Sequence, residues 1–193
     1  MQFKVMGVQA GKARRVMIND RLTASAMFKT PVAGPVRVGA LGLEVDEQAD
    51  LSVHGGLEKA VYAYPSEHYG YWRKQRQDAS VGGIDDALLP GALGENLTLQ
   101  GLLETDVWVG DVLQFAHLTL RVTQPREPCF KFNASMGFNQ ASKLMAQTGY
   151  CGFYLAVDQA GTLEAGEEGT LVPGPRRASI PERFKAKLFK HLR

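Results

Sequence analysis

The chain has little cysteine. Its 193 residues include two, Cys129 and Cys151, and they form no CxxC pair. Two cysteines so placed exclude a disulfide framework and the usual zinc-ribbon spacings. No HExxH pair or Cys/His cluster is present, which argues against a zinc hydrolase. No GxSxG elbow, P-loop or dinucleotide fingerprint occurs, and no flavin, haem or iron–sulfur motif. Apolar runs are short. None has the length of a membrane span, and the N-terminal run is broken by Lys4, Lys12, Arg14 and Arg15, unlike a secretory signal. The expectation is a cytoplasmic protein without a membrane role. Internal repeats and low-complexity stretches are also missing.

What the chain has in quantity is glycine, 21 residues, with 9 prolines. That density of breakers suits many short strands and tight turns, and so a mainly β (β-rich α+β) domain. The length fits one domain with its own core. The net charge of +2 conceals an asymmetry: residues 173–193 carry seven basic side chains and one acid, a charge of +6, which leaves the rest at −4. A mildly acidic body does not suit nucleic acid as a partner.

The pattern predicts strands over Phe3–Gln9, within Val36–Val45, and at Ala60–Tyr64. Pro65 ends the last, and Ser66 is placed to cap a helix running to about Gln77. Further strands are expected from Leu97, at Val107–Val109, at Val112–Phe115 after the Gly110-Asp111 turn, and at Leu118–Thr123. Asn139–Gln147 reads as a helix closed by Gly149. Gly152–Val157 and Gly169–Val172 read as strands. Ser179 and Glu182 form a capping box, followed by a basic amphipathic helix to Leu192. Residues 1–175 are read as the main domain and 176–193 as a basic C-terminal helix.

The stretch Gln124-Pro125-Arg126-Glu127-Pro128-Cys129-Phe130-Lys131-Phe132 holds a thiol between two prolines and two cations. The prolines stiffen a non-helical loop at a strand end, where a rigid scaffold can aim a reactive group. Positive charge from Arg126 and Lys131 favours the thiolate, the form that attacks or ligates a soft metal. Cys151 lacks such a setting and reads as structural. His54-Gly55-Gly56 with Lys59 resembles a backbone nest for an anion, though a plain glycine turn is equally consistent. Asn96, in Gly94-Glu95-Asn96-Leu97, could hydrogen-bond a heterocycle edge or simply shape a turn.

In order, Asp46-x-Gln48-Ala49-Asp50-x-x-x-His54-Gly55-Gly56, Lys59-Ala60-Val61-Tyr62-x-Tyr64-Pro65-x-x-His68-Tyr69-x-x-Trp72, Gly94-Glu95-Asn96-Leu97, Gly110-Asp111 and Gln124-Pro125-Arg126-x-Pro128-Cys129-x-Lys131 resemble the MOSC domain family, in its small YiiM-type branch. The resemblance runs from about Phe3 to Val172. It implies a β-barrel with flanking helices and a molybdenum cofactor, a pterin whose dithiolene binds the metal. Cys129 would be the protein's metal ligand. Arg126, Lys131, Lys59, the His54-Gly55-Gly56 turn and Asn96 would hold the cofactor. The implied activity is reduction of N-hydroxylated small molecules, such as hydroxylamino purines, with electrons from a separate donor protein, the enzyme being a monomer or homodimer. YiiM-type proteins often end in a three-helix module; one helix, Ser179–Leu192, is legible here. Two other readings keep Cys129: a sulfur carrier working through a persulfide, and a non-catalytic cofactor-binding protein.

Overall fold

The computed structural model describes residues 1–49, 55–81 and 88–190. Thirteen strands are found among them: β1 (Gln2–Ala10), β2 (Arg14–Ile18), β3 (Arg21–Ser25), β4 (Thr30–Pro31), β5 (Val36–Gly39), β6 (Gly42–Leu43), β7 (Val61–Pro65), β8 (Leu97–Gln100), β9 (Val112–Gln114), β10 (Thr119–Pro125), β11 (Phe153–Gln159), β12 (Gly161–Leu163) and β13 (Glu168–Val172). The α-helices are α1 (Tyr69–Asp78), α2 (Phe130–Met136), α3 (Ala141–Thr148) and α4 (Ile180–Lys190).

Alternation starts the barrel. Phe3 and Val5 point inward from β1 while Gln2, Lys4 and Met6 face out, and the register shifts between Val5 and Gly7. The sheet order β13-β9-β10-β11-β7-β8-β1 closes on itself through pairing of β1 with β13, which removes its edges. Its pairs are antiparallel except β7 with β8. The core is filled by Val5, Val61, Leu97, Leu99, Leu113, Leu120, Val122 and Leu155, all fully buried. Gly152 brings β11 against β7: it sits at φ +61°, and a Cβ there would lie 2.4 Å from the Ala63 carbonyl oxygen. The predicted β-barrel with flanking helices and a C-terminal amphipathic helix is therefore the architecture observed.

Several local expectations are corrected. Ser66 does not cap a helix; Ser66–His68 forms a 3₁₀ turn, and α1 begins at Tyr69. Pro65 is still part of β7, so the chain needs a tighter first turn before the helix can start. Val107–Val109 is not a strand. Trp108 makes an isolated bridge to Ser179, and its N–H donates to the buried Asp111 carboxylate at 3.1 Å. The loop expected through Phe132 gives way to helix directly after the cysteine: α2 spans Phe130–Met136, buries Phe132 and Met136 four residues apart, and ends at Gly137 in the left-handed region. No breaker stands between Pro128 and Gly137, and one apolar stripe suffices to dock a short helix.

The predicted α3 and its Gly149 terminus are present. So is the capping box, in which the Ser179 N–H donates to Glu182 Oε2 at 2.8 Å and the Glu182 N–H to Ser179 Oγ at 3.3 Å. Ile180 and Phe184 of α4 are buried, so this basic helix packs on its own domain. Among the described residues no helix is long and apolar enough to cross a membrane.

Candidate functional site

Strand β10 carries the chain to Pro125, which pairs with Phe153 of β11. Arg126, Glu127 and Pro128 then turn it to Cys129, whose backbone is extended (φ −139°, ψ 161°) before α2 begins. The Cys129 side chain is half-buried and lines an open cleft, whose empty space is about 650 Å³ when the solvent at its mouth is counted. Cys151 is fully buried, and burial pushes its thiol well above the ordinary value, an inert setting.

The cleft brings together most of the predicted residues. Cys129, Arg126, Lys131, Lys59 and Asn96 all line it. Arg126 is its buried floor. The guanidinium donates to the Leu93 carbonyl at 2.9 Å and the Tyr62 hydroxyl at 3.4 Å, and lies between the rings of Tyr62 (5.1 Å) and Phe132 (4.8 Å). Burial opposes its charge, but Tyr62, Cys129 and Tyr154 more than offset this and keep it protonated. Lys131 donates to the Ala24 carbonyl at 2.9 Å, which leaves an ammonium with further donors at the cleft wall. Lys59 ends a 3₁₀ turn, Leu57–Lys59, and its Nζ lies 5.7 Å from the Tyr154 ring centre. Partial burial and the nearby charge of Lys187 lower its pKa, against the pull of Glu127.

Other predicted members are placed differently. Gly56 opens the 3₁₀ turn at φ 84°, but its N–H donates to Gln48 Oε1 at 3.0 Å, and it is Gln48 that lines the cleft. Gly55 is half-buried and also outside the lining. His54 lies outside the described residues. Both amide hydrogens of Asn96 are engaged, with the Gln9 carbonyl (3.2 Å) and Asp46 Oδ2 (2.8 Å), and its Oδ1 accepts from the Tyr62 N–H at 3.1 Å. Asn96 therefore splices β7, β1 and the Asp46 segment together at the cleft wall.

Sequence reasoning missed the buried pair beneath it. Lys29 Nζ stands 2.6 Å from both Asp46 carboxylate oxygens, with both side chains 7% exposed. Asp46 Oδ1 also accepts from the Gly11 N–H at 2.7 Å. Burial lowers the Lys29 pKa, and Asp46 counteracts this. Asp46 stood in the recognisable pattern; Lys29 had no local signal. Tyr154, on β11, was also missed. It lines the cleft, and its hydroxyl has no hydrogen-bond partner among the described residues. Burial pushes its pKa up, so the phenol remains a donor near neutrality.

Two braces hold this wall. Glu95, fully buried, accepts from the N–H groups of Gly91 (2.7 Å) and Leu93 (3.1 Å), from Thr98 Oγ1 (3.0 Å) and from the Tyr69 hydroxyl. It fixes the loop whose Leu93 carbonyl receives Arg126. On the other side, Lys187 of α4 donates to Gln124 Oε1 at 2.7 Å and Glu127 Oε1 at 2.5 Å, tying the C-terminal helix to the cysteine loop.

Comparison with known proteins bears on the family and the fold. The family model of the MOSC domain matches residues 50–170. Protein YiiM of Escherichia coli (strain K12) is 37% identical over 141 residues, covering 73% of this chain and 61% of that protein. A Gibberella moniliformis protein named "Reductase" is 33% identical over 172 residues, 89% of this chain and 29% of that protein. The chain thus spans less than two thirds of either relative. The crystal structure of YiiM from Geobacillus stearothermophilus superposes with a TM-score of 0.76 at 33% identity, covering 97% of this chain and 85% of that one.

Proposed function

The chain belongs to the MOSC domain family, and on that footing we propose that it is a molybdenum-cofactor-dependent reductase of N-hydroxylated small molecules. The observation that carries the proposal is a reachable thiol, Cys129, in a cleft whose wall holds Lys59, Lys131 and the buried Arg126. The name of the fungal relative supports an oxidoreductase reading.

The residues fit the cofactor. A thiolate is a soft donor that suits molybdenum better than Mg²⁺ or Ca²⁺. Among the described residues no three His, Cys, Asp or Glu side chains are grouped to hold a metal by themselves, which suits a metal carried by its own organic ligand with one protein thiolate added. Lys59 and Lys131 can pair with a phosphate, and Arg126 supplies fixed positive charge from below. Gln48 and the remaining lone pair of Asn96 Oδ1 can meet polar edges of a pterin.

When bound, the cofactor supplies the two-electron redox chemistry. The balance is R–NHOH plus two electrons and two protons giving R–NH₂ and water: the N–O bond breaks and nitrogen is reduced. The chain's part is positional and electrostatic. Cys129 ligates. Arg126 and Lys131 hold negative charge at that end of the cleft. Tyr154, a phenol whose hydroxyl bonds to no other described residue, would donate a hydrogen bond to the N–OH oxygen as it leaves.

The test is direct. Cofactor-loaded protein is given a hydroxylamino purine and reduced methyl viologen, and the amine is measured by chromatography. Catalytic formation of the amine, reduced to background in Cys129→Ser, is expected. A loaded protein that forms none overturns the reading.

A further inference from the structure

Strand β10 alternates as far as Val122 and then loses its period: Val122 and Thr123 are both buried. The cause lies in the pairing. Val122 stands opposite Leu155 and Gln124 opposite Tyr154, two steps along β10 against one along β11, which is a β-bulge with Thr123 as the extra residue. A bulge re-aims one side chain, and here it turns into the protein a hydroxyl that strict alternation would send out. Thr123 Oγ1 donates to the Glu58 carbonyl at 2.6 Å, and the Tyr154 carbonyl, at 3.1 Å, is a second acceptor for the same proton.

Glu58 directly precedes Lys59. The 3₁₀ turn Leu57–Lys59 buries none of its residues, and the Lys59 N–H closes it by donating to the Gly56 carbonyl at 3.0 Å. So short a turn has little stability of its own. Its other end is held as well. Gln48 Oε1 accepts from the Gly56 N–H at 3.0 Å, while Gln48 Nε2 donates to the Leu41 carbonyl at 3.0 Å. The turn is thus fastened at both ends by side chains from distant parts of the chain. Lys59 Nζ lies 5.7 Å from the ring centre of Tyr154, within cation–π range. One threonine therefore touches both the turn that carries the ammonium and the residue whose ring lies beneath it. Thr123 does not itself line the cleft.

We propose that Thr123 is a positioning residue for Lys59: from its bulge it fastens one end of the turn, with Gln48 fastening the other, and so fixes the ammonium inside the cleft. That the ammonium then serves an anionic group of the cofactor rests on the reductase reading; the fastening does not. Packing alone would be met by valine, which has the shape of threonine without its hydroxyl.

That difference is the test. Full-length protein from a host unable to make molybdopterin is reductively methylated with ¹³C, and the Lys59 methyl resonance is compared with that of the exposed Lys185. In wild type the Tyr154 ring is expected to displace the Lys59 signal. Thr123→Val and Gln48→Met should each lose most of that displacement, and Thr123→Ser should keep it. The proposal is overturned if wild type shows no displacement, if either Thr123→Val or Gln48→Met keeps it, or if Thr123→Ser loses it. Gln48 is half-exposed, so Gln48→Met carries the test should Thr123→Val fail to fold. In protein from a molybdenum-replete host, Thr123→Val should retain several-fold less molybdenum after gel filtration than wild type. Equal molybdenum with the displacement lost upholds the fastening and counts against Lys59 as a cofactor residue. Wild type without molybdenum counts against the cofactor reading alone, because the resonance is measured on cofactor-free protein.

Discussion

Lys187 of the C-terminal helix donates to Glu127 at 2.5 Å, two residues before the cleft cysteine. The basic tail is thereby part of the site's support. The pair is partly exposed, 23% and 39%, so its stability contribution is below about 1 kcal/mol. Its effect is on the loop. Lys187→Met should leave the thermal midpoint within about 4 °C of wild type. It should raise the alkylation rate of Cys129 several-fold, and Lys187→Arg should restore the wild-type rate. An unchanged rate in Lys187→Met would separate the helix from the site.

The Lys29–Asp46 pair is buried on both sides, and there the energetics differ. Lys29→Met leaves the Asp46 carboxylate desolvated beside the Gly11 N–H and Asn96, and should destabilise the fold by about 3–5 kcal/mol. Adding Asp46→Asn should recover part of that loss, since the uncompensated charge is then gone. Chemical denaturation of both single variants and the double variant gives the coupling. Additive losses would contradict the account.

Much of this was legible in the sequence, and the misses have physical causes. Strands with clean alternation, such as β1 and β10, could be read from their period of two. Helices with a capping box or a glycine terminus could be read from their ends, as α4 and α3 were. The β2–β3 hairpin could not, because the alternation that marks a half-buried strand fails when Met17 and Leu22 face outward. The short α2 has neither side-chain cap nor length. Cys129, Arg126 and Lys131 were found because charge and proline sit beside a thiol in one local run, and Lys59 because it follows a double-glycine turn. Lys29 and Tyr154 reach the cleft through tertiary folding alone.

Glu95 gives a pH signature. Burial holds its pKa above the ordinary 4.5, so the folded protein keeps a proton that the unfolded chain releases. The stability linked to that proton is full below about pH 4.5 and is lost as pH rises through the folded-state value. The stability of wild type relative to Glu95→Gln should therefore fall as pH increases from 4.5. A difference that is flat, or that rises with pH, would show that Glu95 is ionised in the fold.

Tyr154→Phe tests the unpartnered phenol. Because its hydroxyl bonds to no described residue, the thermal midpoint should hold within about 2 °C. If the hydroxyl assists departure of the N–OH oxygen, kcat with reduced methyl viologen should fall by about a hundredfold with KM little changed. Loss of stability without loss of kcat would make the residue structural.

The central claim is that the Cys129 sulfur ligates molybdenum. It is tested by metal analysis and intact mass of protein produced in a molybdenum-replete host, for wild type and Cys129→Ser. The account predicts molybdenum near one equivalent in wild type and near none in a Cys129→Ser variant that remains folded. Equal molybdenum in both proteins would contradict it. So would a metal-free wild type carrying one additional sulfur on Cys129, which would make the protein a sulfur carrier.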